Sequence, residues 1–101
     1  MIELGKGNII VEKSFELALS IIDFSELLTK RGKTIVAKQL LRSGTAPGAL
    51  VAESQQAESK ADFIHKMKIA LKEANETYYW LSLCEKSKHL PFDEKVKNLC
   101  E

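Results

Sequence analysis

The sequence predicts an all-α protein with three long helices and a short fourth helix. Apolar residues recur every three or four positions through three long stretches, which is the spacing of one face of a helix. Helix start and stop signals separate these stretches. No stretch alternates apolar and polar residues in the way that a half-buried strand does. Together these observations predict helices and no sheet.

Length and composition indicate one small globular domain, 1–101. The chain has 101 residues, of which 45% are hydrophobic and 29% charged, and its formal net charge is +1. A strong nonspecific nucleic-acid binder normally shows a clear basic excess, which these totals lack. Cys84 and Cys100 fit neither a disulfide framework nor a zinc ligand set, so we interpret them as reduced thiols. Because the first residues lack a signal-peptide pattern, the expected location is the cytoplasm, with no membrane partner.

The first helix is predicted from about 9 to 31. Asn8 precedes it as an N-cap. Two adjoining rows of apolar residues give this helix an unusually wide apolar face. Lys30 and Arg31 in the last turn suit the negative end of the helix dipole, and Gly32 supplies the stop.

The second helix is predicted from about 34 to 57, with Thr34 as its cap and a kink near Pro47. Local rules oppose a continuous helix, because a Ser-Gly and a Pro-Gly pair are turn signals. A proline inside a helix also costs about 3 kcal/mol.

Small residues at helical spacing argue for continuity. Gly44, Gly48 and Ala52 are spaced four apart, so a continuous helix places them in one row. We call this row the small-residue ridge and expect it to admit another helix backbone closely. We therefore favour one kinked helix over two separate helices.

Two further helices follow. Ser59 and Asp62 form the S-x-x-D pattern of a helix start, ahead of apolar rows that continue to about residue 87. The third helix is thus predicted over 60–87. Pro91 suits the first turn of a helix, so the short fourth helix is predicted over 92–101.

The middle of the chain resembles a known family. The resemblance lies in two motifs, which read QLLRSGTAPGALVAES (39–54) and AESKADFIHKMKIALKEANETYYWL (57–81). They look like the signature of the small four-helix-bundle proteins encoded by intervening sequences in bacterial 23S ribosomal RNA genes. The segment VEKSFELAL is similar to the first helix of that family.

This resemblance implies an antiparallel, up-and-down four-helix bundle that assembles into a ring-like homo-oligomer, typically a pentamer. The accessory protein of diversity-generating retroelements is a relative that partners a reverse transcriptase and nucleic acid. No enzymatic activity is known for the family, so the resemblance implies no catalytic residue and no cofactor. The chain departs from the family pattern at Pro47, at Leu50 and in its short fourth helix.

Three consecutive aromatic residues, Tyr78, Tyr79 and Trp80, lie near the end of the third predicted helix. Successive helical residues point about 100° apart, so the three side chains span about 200°. A core-facing stripe is only somewhat wider than about 100°, so at least one aromatic ring is expected outside the chain's own core. Aromatic residues in that position are typical of protein interfaces. Together with the small-residue ridge, they predict a self-association interface.

Basic residues cluster where the first two helices meet. Lys30, Arg31 and Lys33 lie at this junction, and Lys38 and Arg42 continue along the second helix at a spacing of four. Such a group can contact phosphates. The competing interpretation is an ordinary solvated face, because acidic residues are interspersed nearly one for one.

Carboxylates on the helices suggest a metal site only remotely. Asp62 and His65 are three residues apart, like half of a di-iron bundle site. Glu53, Glu73 and Glu76 would have to supply the remaining ligands, and nothing in the sequence makes them converge. We therefore predict no metal and no catalytic residue, and keep a metal-binding bundle as a remote alternative.

The leading functional hypothesis is a non-enzymatic, homo-oligomeric accessory or binding protein of the intervening-sequence family, with RNA or a ribonucleoprotein as its partner. The alternative is a structural or protein–protein interaction module that has no nucleic-acid affinity.

Overall fold

The computed structural model describes residues 8–91, and every regular element within them is an α-helix. The helices are α1 (Ile9–Lys30), α2 (Thr34–Ser54) and α3 (Lys60–Lys86). The all-α prediction is therefore confirmed for this part of the chain. The predicted fourth helix, at 92–101, lies outside the described residues.

Both ends of α1 follow the signals in the sequence. The Asn8 side chain accepts a hydrogen bond from the Val11 amide at 3.4 Å. At the other end Gly32 has φ +78°, a conformation that residues with a Cβ rarely adopt. In that conformation the amides of Gly32 and Lys33 reach the carbonyl oxygens of Thr29 and Leu28, at 3.0 and 2.8 Å. These two bonds end α1 and turn the chain towards α2.

α2 begins without the predicted cap. Thr34 is its first helical residue, and the N-cap position belongs to Lys33, whose side chain makes no capping hydrogen bond. The prediction of Thr34 as the cap is wrong, because the Lys33 carbonyl already accepts the first helical bond, from the Ala37 amide at 3.0 Å. The helix ends at Ser54, a few residues before the predicted boundary near residue 57.

α2 continues through Pro47 without interruption. α2 stays helical despite these turn signals because its apolar face is buried. Leu40, Pro47 and Val51 are all buried. Apolar burial of this extent offsets the proline cost of about 3 kcal/mol. Pro47 deprives the Ser43 carbonyl of its helical donor. The Thr45 hydroxyl donates to a different carbonyl, that of Leu41, at 2.6 Å.

α3 starts at the predicted signal. The Ser59 hydroxyl accepts a hydrogen bond from the Asp62 amide at 3.1 Å, which satisfies one of the free amides of the first turn. The helix then runs for 27 residues to Lys86, next to the predicted boundary at residue 87.

α2 is the central helix. α1 and α3 each pack against α2, and within the described chain they make no backbone contact with each other. Buried side chains form two core clusters, one at each end of the molecule. The larger cluster contains Ile21, Phe24, Leu28, Ala37, Leu40, Leu81 and Cys84, and the smaller one contains Val11, Val51 and Ala70. This arrangement leaves a gap between α1 and α3 beside the smaller cluster.

Candidate interaction surfaces

Two glycines of the small-residue ridge make the contact between α2 and α1. A Cβ at Gly44 would lie 2.6 Å from Cγ2 of Ile21, and a Cβ at Gly48 would lie 3.2 Å from the Ser14 carbonyl oxygen. The close approach predicted for the ridge is thus made within the chain. Gly44 and Gly48 therefore serve packing inside the protomer, and a further role for the ridge between chains stays a prediction. Ala52, the third member of the ridge, is half-buried.

The contact between α2 and α3 is polar at its centre. The Thr77 hydroxyl donates to the Ser43 hydroxyl at 3.0 Å, and both residues are buried. Buried hydroxyl groups need partners, so this bond favours one register of α3 on α2. Sequence reasoning missed the pair, because Ser43 carries a turn signal and its partner lies 34 residues away.

Arg42 belongs to the same α2–α3 contact. Its guanidinium forms ion pairs with Glu73, at 3.0 Å, and with Glu76. Glu76 also accepts a hydrogen bond from Nε1 of Trp80 at 3.2 Å. Two carboxylates of α3 thus compete with a phosphate for Arg42, whose place in the predicted phosphate-binding group stays a prediction.

The same ion pair separates the carboxylates considered for a metal. Glu73 and Glu76 face Arg42, whereas Glu53 lies at the far end of α2 with Lys66 at 3.7 Å. Asp62 accepts a hydrogen bond from the Glu58 amide in the turn before α3. Within residues 8–91, no group of three or more possible metal ligands comes together.

Four basic residues remain at the junction of α1 and α2. Lys30, Arg31 and Lys38 are exposed and Lys33 is half-buried. None of the four forms an ion pair within residues 8–91. Lys33 is the N-cap residue of α2, whose first amides have no side-chain cap, and the other three lie within five sequence positions of it. Free amides and the helix dipole favour an anion at this position. We call Lys30, Arg31, Lys33 and Lys38 the basic junction.

The aromatic triplet divides between core and surface. Trp80 packs against the larger core cluster, whereas Tyr78 and Tyr79 are 55% and 56% exposed. The rings of Tyr79 and Trp80 meet edge to face, with centroids 5.4 Å apart. The expectation that at least one ring lies outside the chain's own core is confirmed.

A large apolar groove separates α1 from α3. Its volume is about 600 Å³. The groove is lined by Ile10, Lys13, Ser14, Leu17, Pro47, Val51, Phe63, Ile64, Met67, Lys68, Ala70, Leu71 and Ala74. Ile64, Leu71 and Tyr78 are spaced seven apart, so they share one row of α3. We call this surface the α1–α3 groove.

A second apolar surface lies on the outside of α1. Phe15, Leu19 and Ile22 are spaced four and three apart and are between 42% and 50% exposed. Leu41 of α2 lies beside Ile22 and is exposed to a similar degree. We call Phe15, Leu19 and Ile22 the α1 outer stripe. It accounts for the unusually wide apolar face predicted for the first helix.

These features define a class of protein: residues 8–91 form a small all-α fold with two exposed apolar surfaces and one basic end. No helix in the described part is both long and apolar enough to cross a membrane. The surfaces are suited to contacts with other macromolecules, and they identify no reaction.

More particularly, the chain belongs to the 23S rRNA-intervening sequence protein family, whose model matches residues 6–101. The fold is also similar to the crystal structure of a protein with unknown function from the S23 ribosomal protein family of Bacteroides thetaiotaomicron VPI-5482. That structure has a TM-score of 0.82 and 41% sequence identity, covering 90% of this chain and 84% of the other. No curated protein matches the chain. The family resemblance seen in the two motifs is therefore confirmed.

Proposed function

We propose that the protein is a non-enzymatic, cytoplasmic, homo-oligomeric accessory protein that binds RNA or a ribonucleoprotein. Its two uncovered apolar surfaces, the α1–α3 groove and the α1 outer stripe, carry this proposal. A chain of 101 residues buries a modest share of its surface, so association is a natural source of further stability. The four-helix bundle, the ring and the relation to the retroelement accessory protein stay predictions within this proposal.

The extent of uncovered apolar surface supports self-association. Apolar groups on a soluble protein are usually scattered, whereas continuous patches mark sites of contact. Here a groove of about 600 Å³ and a separate stripe lie on different sides of α1. Covering both removes large aliphatic and aromatic side chains from water, at about 25 cal/mol per Å² of apolar area.

Light scattering of the purified chain tests self-association directly. We expect a mass several times the 11.3 kDa of one chain at micromolar concentration. A mass equal to one chain would contradict the proposal.

The basic junction supports the RNA part of the proposal. Its four cations are not neutralised within the described chain, and they lie within five sequence positions of an uncapped helix N-terminus, which favours phosphate. An oligomer repeats this end in every copy, so several weak phosphate contacts act together. Because the net charge is near neutral, nonspecific binding of nucleic acid is limited. The basic junction is then a local positive patch.

Charge reversal at the basic junction tests RNA binding. We expect Arg31→Glu combined with Lys38→Glu to weaken binding of a labelled single-stranded RNA. The slope of log affinity against log salt should fall by about 0.7 for each lost phosphate contact. Lys60→Glu is the matched control for Lys38→Glu alone, because it makes the same change in charge, is exposed at the opposite end of the molecule and should leave affinity unchanged.

Equal RNA affinity in the wild type and the double variant would exclude the basic junction. An assembled protein with no measurable RNA affinity would instead support the alternative, a module for protein contacts alone.

A further inference from the structure

We propose that the outward face of α3 binds single-stranded RNA, with lysine side chains on the phosphates and the ring of Tyr79 stacked on a base. The face consists of Lys68, Lys72, Tyr79 and Lys86, and we call it the α3 basic face. This contact rests on the RNA binding proposed above. It adds a second surface to the basic junction and makes unpaired nucleotides the ligand.

The four residues of the α3 basic face form one row along the helix. By helical geometry the three lysines point within about 20° of the direction of Tyr79. All four residues are exposed. The row is about 27 Å long from Lys68 to Lys86, and Tyr79 lies about 10 Å along the axis from both Lys72 and Lys86. A strand that follows this row therefore meets a positive charge on each side of the aromatic ring.

The α3 basic face contains no acidic residue. The other exposed residues of α3 within about 40° of the row are Ala61, His65, Asn75 and Leu83. Glu76 is the nearest acidic residue around the helix, about 60° away, and it is engaged with Arg42 and Trp80. An ordinary solvated face carries both signs of charge, so a row with cations alone favours an anionic ligand.

The lysines of this face are available to phosphates. Lys68 and Lys72 form no ion pair within residues 8–91. Lys86 lies 3.5 Å from Glu85, and its side chain is 81% exposed. Because an ion pair this exposed contributes little, a phosphate can replace Glu85 at small cost.

Tyr79 is already positioned to stack on a base. Its ring is 56% exposed and meets Trp80 edge to face, with centroids 5.4 Å apart. Trp80 in turn packs against the larger core cluster and donates a hydrogen bond to Glu76 at 3.2 Å. A ring held in this way loses little conformational freedom when a base stacks on it.

Stacking on Tyr79 favours a single strand over a duplex. Every base has a π face, so an aromatic ring accepts any unpaired base. In a double helix these faces are already stacked on each other, whereas loops and single strands expose them. The α3 basic face therefore suits unpaired nucleotides and carries no strong sequence preference.

Packing elsewhere in the molecule leaves this face uncovered. Ala70 and Thr77 contact α2, and both point at least about 160° away from Tyr79. Met67 and Ala74 line the α1–α3 groove, and they point about 120° and 140° away. Only Lys68 of the α3 basic face borders the groove. A fourth helix packed in that groove, as the predicted bundle requires, would leave Tyr79 exposed.

The α3 basic face leads towards the basic junction. Leu81 and Cys84 of α3 share the larger core cluster with Leu28 and Ala37, which lie next to that junction in sequence. Lys86 is therefore at the same end of the molecule as the basic junction. One strand of RNA can contact both surfaces.

Substitution of the two neighbouring tyrosines tests the inference. We expect Tyr79→Leu to weaken binding of labelled oligouridine by about tenfold, because one stacking contact is lost. Tyr79→Phe keeps the ring and should bind like the wild type. Tyr78→Leu is the matched control, because Tyr78 is 55% exposed but points about 100° away. Fluorescence anisotropy measures the affinity of all four proteins.

Trp80 reports whether the base reaches Tyr79, because it is the only tryptophan in the chain and touches that ring. We expect bound oligouridine to change the emission of Trp80 in the wild type and in Tyr78→Leu. In Tyr79→Leu the emission should stay constant. Oligouridine that binds the wild type without any change in emission lies away from Tyr79, and this result would overturn the inference.

The salt dependence of binding tests the lysines. We expect Lys72→Gln to lower the slope of log affinity against log salt by about 0.7, the value of one lost phosphate contact on a single strand. Lys60→Gln removes the same charge from an exposed position of α3 about 100° away from Tyr79, so its slope should equal that of the wild type. Equal losses of slope in both variants would show an effect of total charge and contradict the inference.

The outcomes separate this inference from the proposed function. If Arg31→Glu with Lys38→Glu weakens binding but Tyr79→Leu does not, RNA binding stands and the α3 basic face is excluded. Equal affinity for oligouridine and for an RNA duplex would contradict stacking on Tyr79. If Tyr79→Leu lowers the mass measured by light scattering, Tyr79 contacts a protein chain instead of a base, and the inference is wrong. A wild type without affinity for RNA overturns both proposals.

Discussion

The two sides of α2 are built in opposite ways. Towards α1 the helix presents glycines, and the contact depends on the absence of side chains at Gly44 and Gly48. Towards α3 it presents hydroxyl and guanidinium groups, and the contact depends on the partners of Ser43 and Arg42. The first contact is steric, and an added Cβ would overlap Ile21 at Gly44. The second contact is directional and tolerates the loss of one bond at a smaller cost.

Of the substitutions that test this comparison, Gly44→Ala should have the largest effect on the free energy of unfolding. Its Cβ would lie 2.9 Å from Cβ of Ile21, an atom that cannot move without the backbone. We expect a loss of about 2 kcal/mol in the free energy of unfolding, because overpacking exceeds the gain in helix propensity. Chemical denaturation at fixed protein concentration measures it.

Gly48→Ala is the matched control for that experiment. Its new Cβ would lie 3.2 Å from the Ser14 carbonyl oxygen, so a shift of a few tenths of an ångström accommodates it. We expect a change within about 0.5 kcal/mol, because the propensity gain of alanine offsets most of the strain. If both substitutions lower the free energy of unfolding by the same amount, the space at Gly44 does not limit how closely α1 and α2 approach.

The substitution Thr77→Val should have an intermediate effect. It leaves the buried Ser43 hydroxyl without its donor, which costs about 1 to 2 kcal/mol. Adding Ser43→Ala should recover part of the loss, because replacing both partners removes the unsatisfied group. A double-mutant cycle in thermal unfolding measures the coupling, and strict additivity would show that the two hydroxyls do not interact.

The substitution Arg42→Gln should have the smallest effect. The side chain of Arg42 is 51% exposed, so its pairs with Glu73 and Glu76 contribute at most about 1 kcal/mol. This contribution should shrink in high salt. Lys38→Gln, one turn away on the same helix, removes an equal charge that has no ion pair in residues 8–91, so stability should not change. Equal salt-sensitive losses in both variants would contradict the pairing of Arg42.

Local signals in the sequence predicted the helix ends well. Asn8, Gly32 and Ser59 act through hydrogen bonds to residues three or four positions away, so their role is readable from spacing. Thr34 is the exception, because the turn through Gly32 determines where the α2 ladder begins. The motifs in 39–81 also predicted the family, which the match over residues 6–101 confirms.

The spacing of residues along a helix could not predict contacts between residues that are distant in sequence. Arg42 was grouped with the basic junction by its i,i+4 relation to Lys38, yet its carboxylates lie on α3, more than 30 positions away. Ser43 and Thr77 show the same limitation, since nothing local indicates that two hydroxyls will be buried together. The residues that line the α1–α3 groove were likewise not predicted, because they come together only when two helices pack on a third.

The sequence alone determined three helices, both ends of α1 and α3, and a surplus of apolar surface, because periodicity and caps act within one helix. It also determined that Gly44 and Gly48 allow a close approach. Only the tertiary structure decided what approaches them. Ile21 and Ser14 of the same chain occupy that position, since α1 packs against the glycine side of α2. The surplus apolar surface therefore lies elsewhere, in the α1–α3 groove and on the α1 outer stripe.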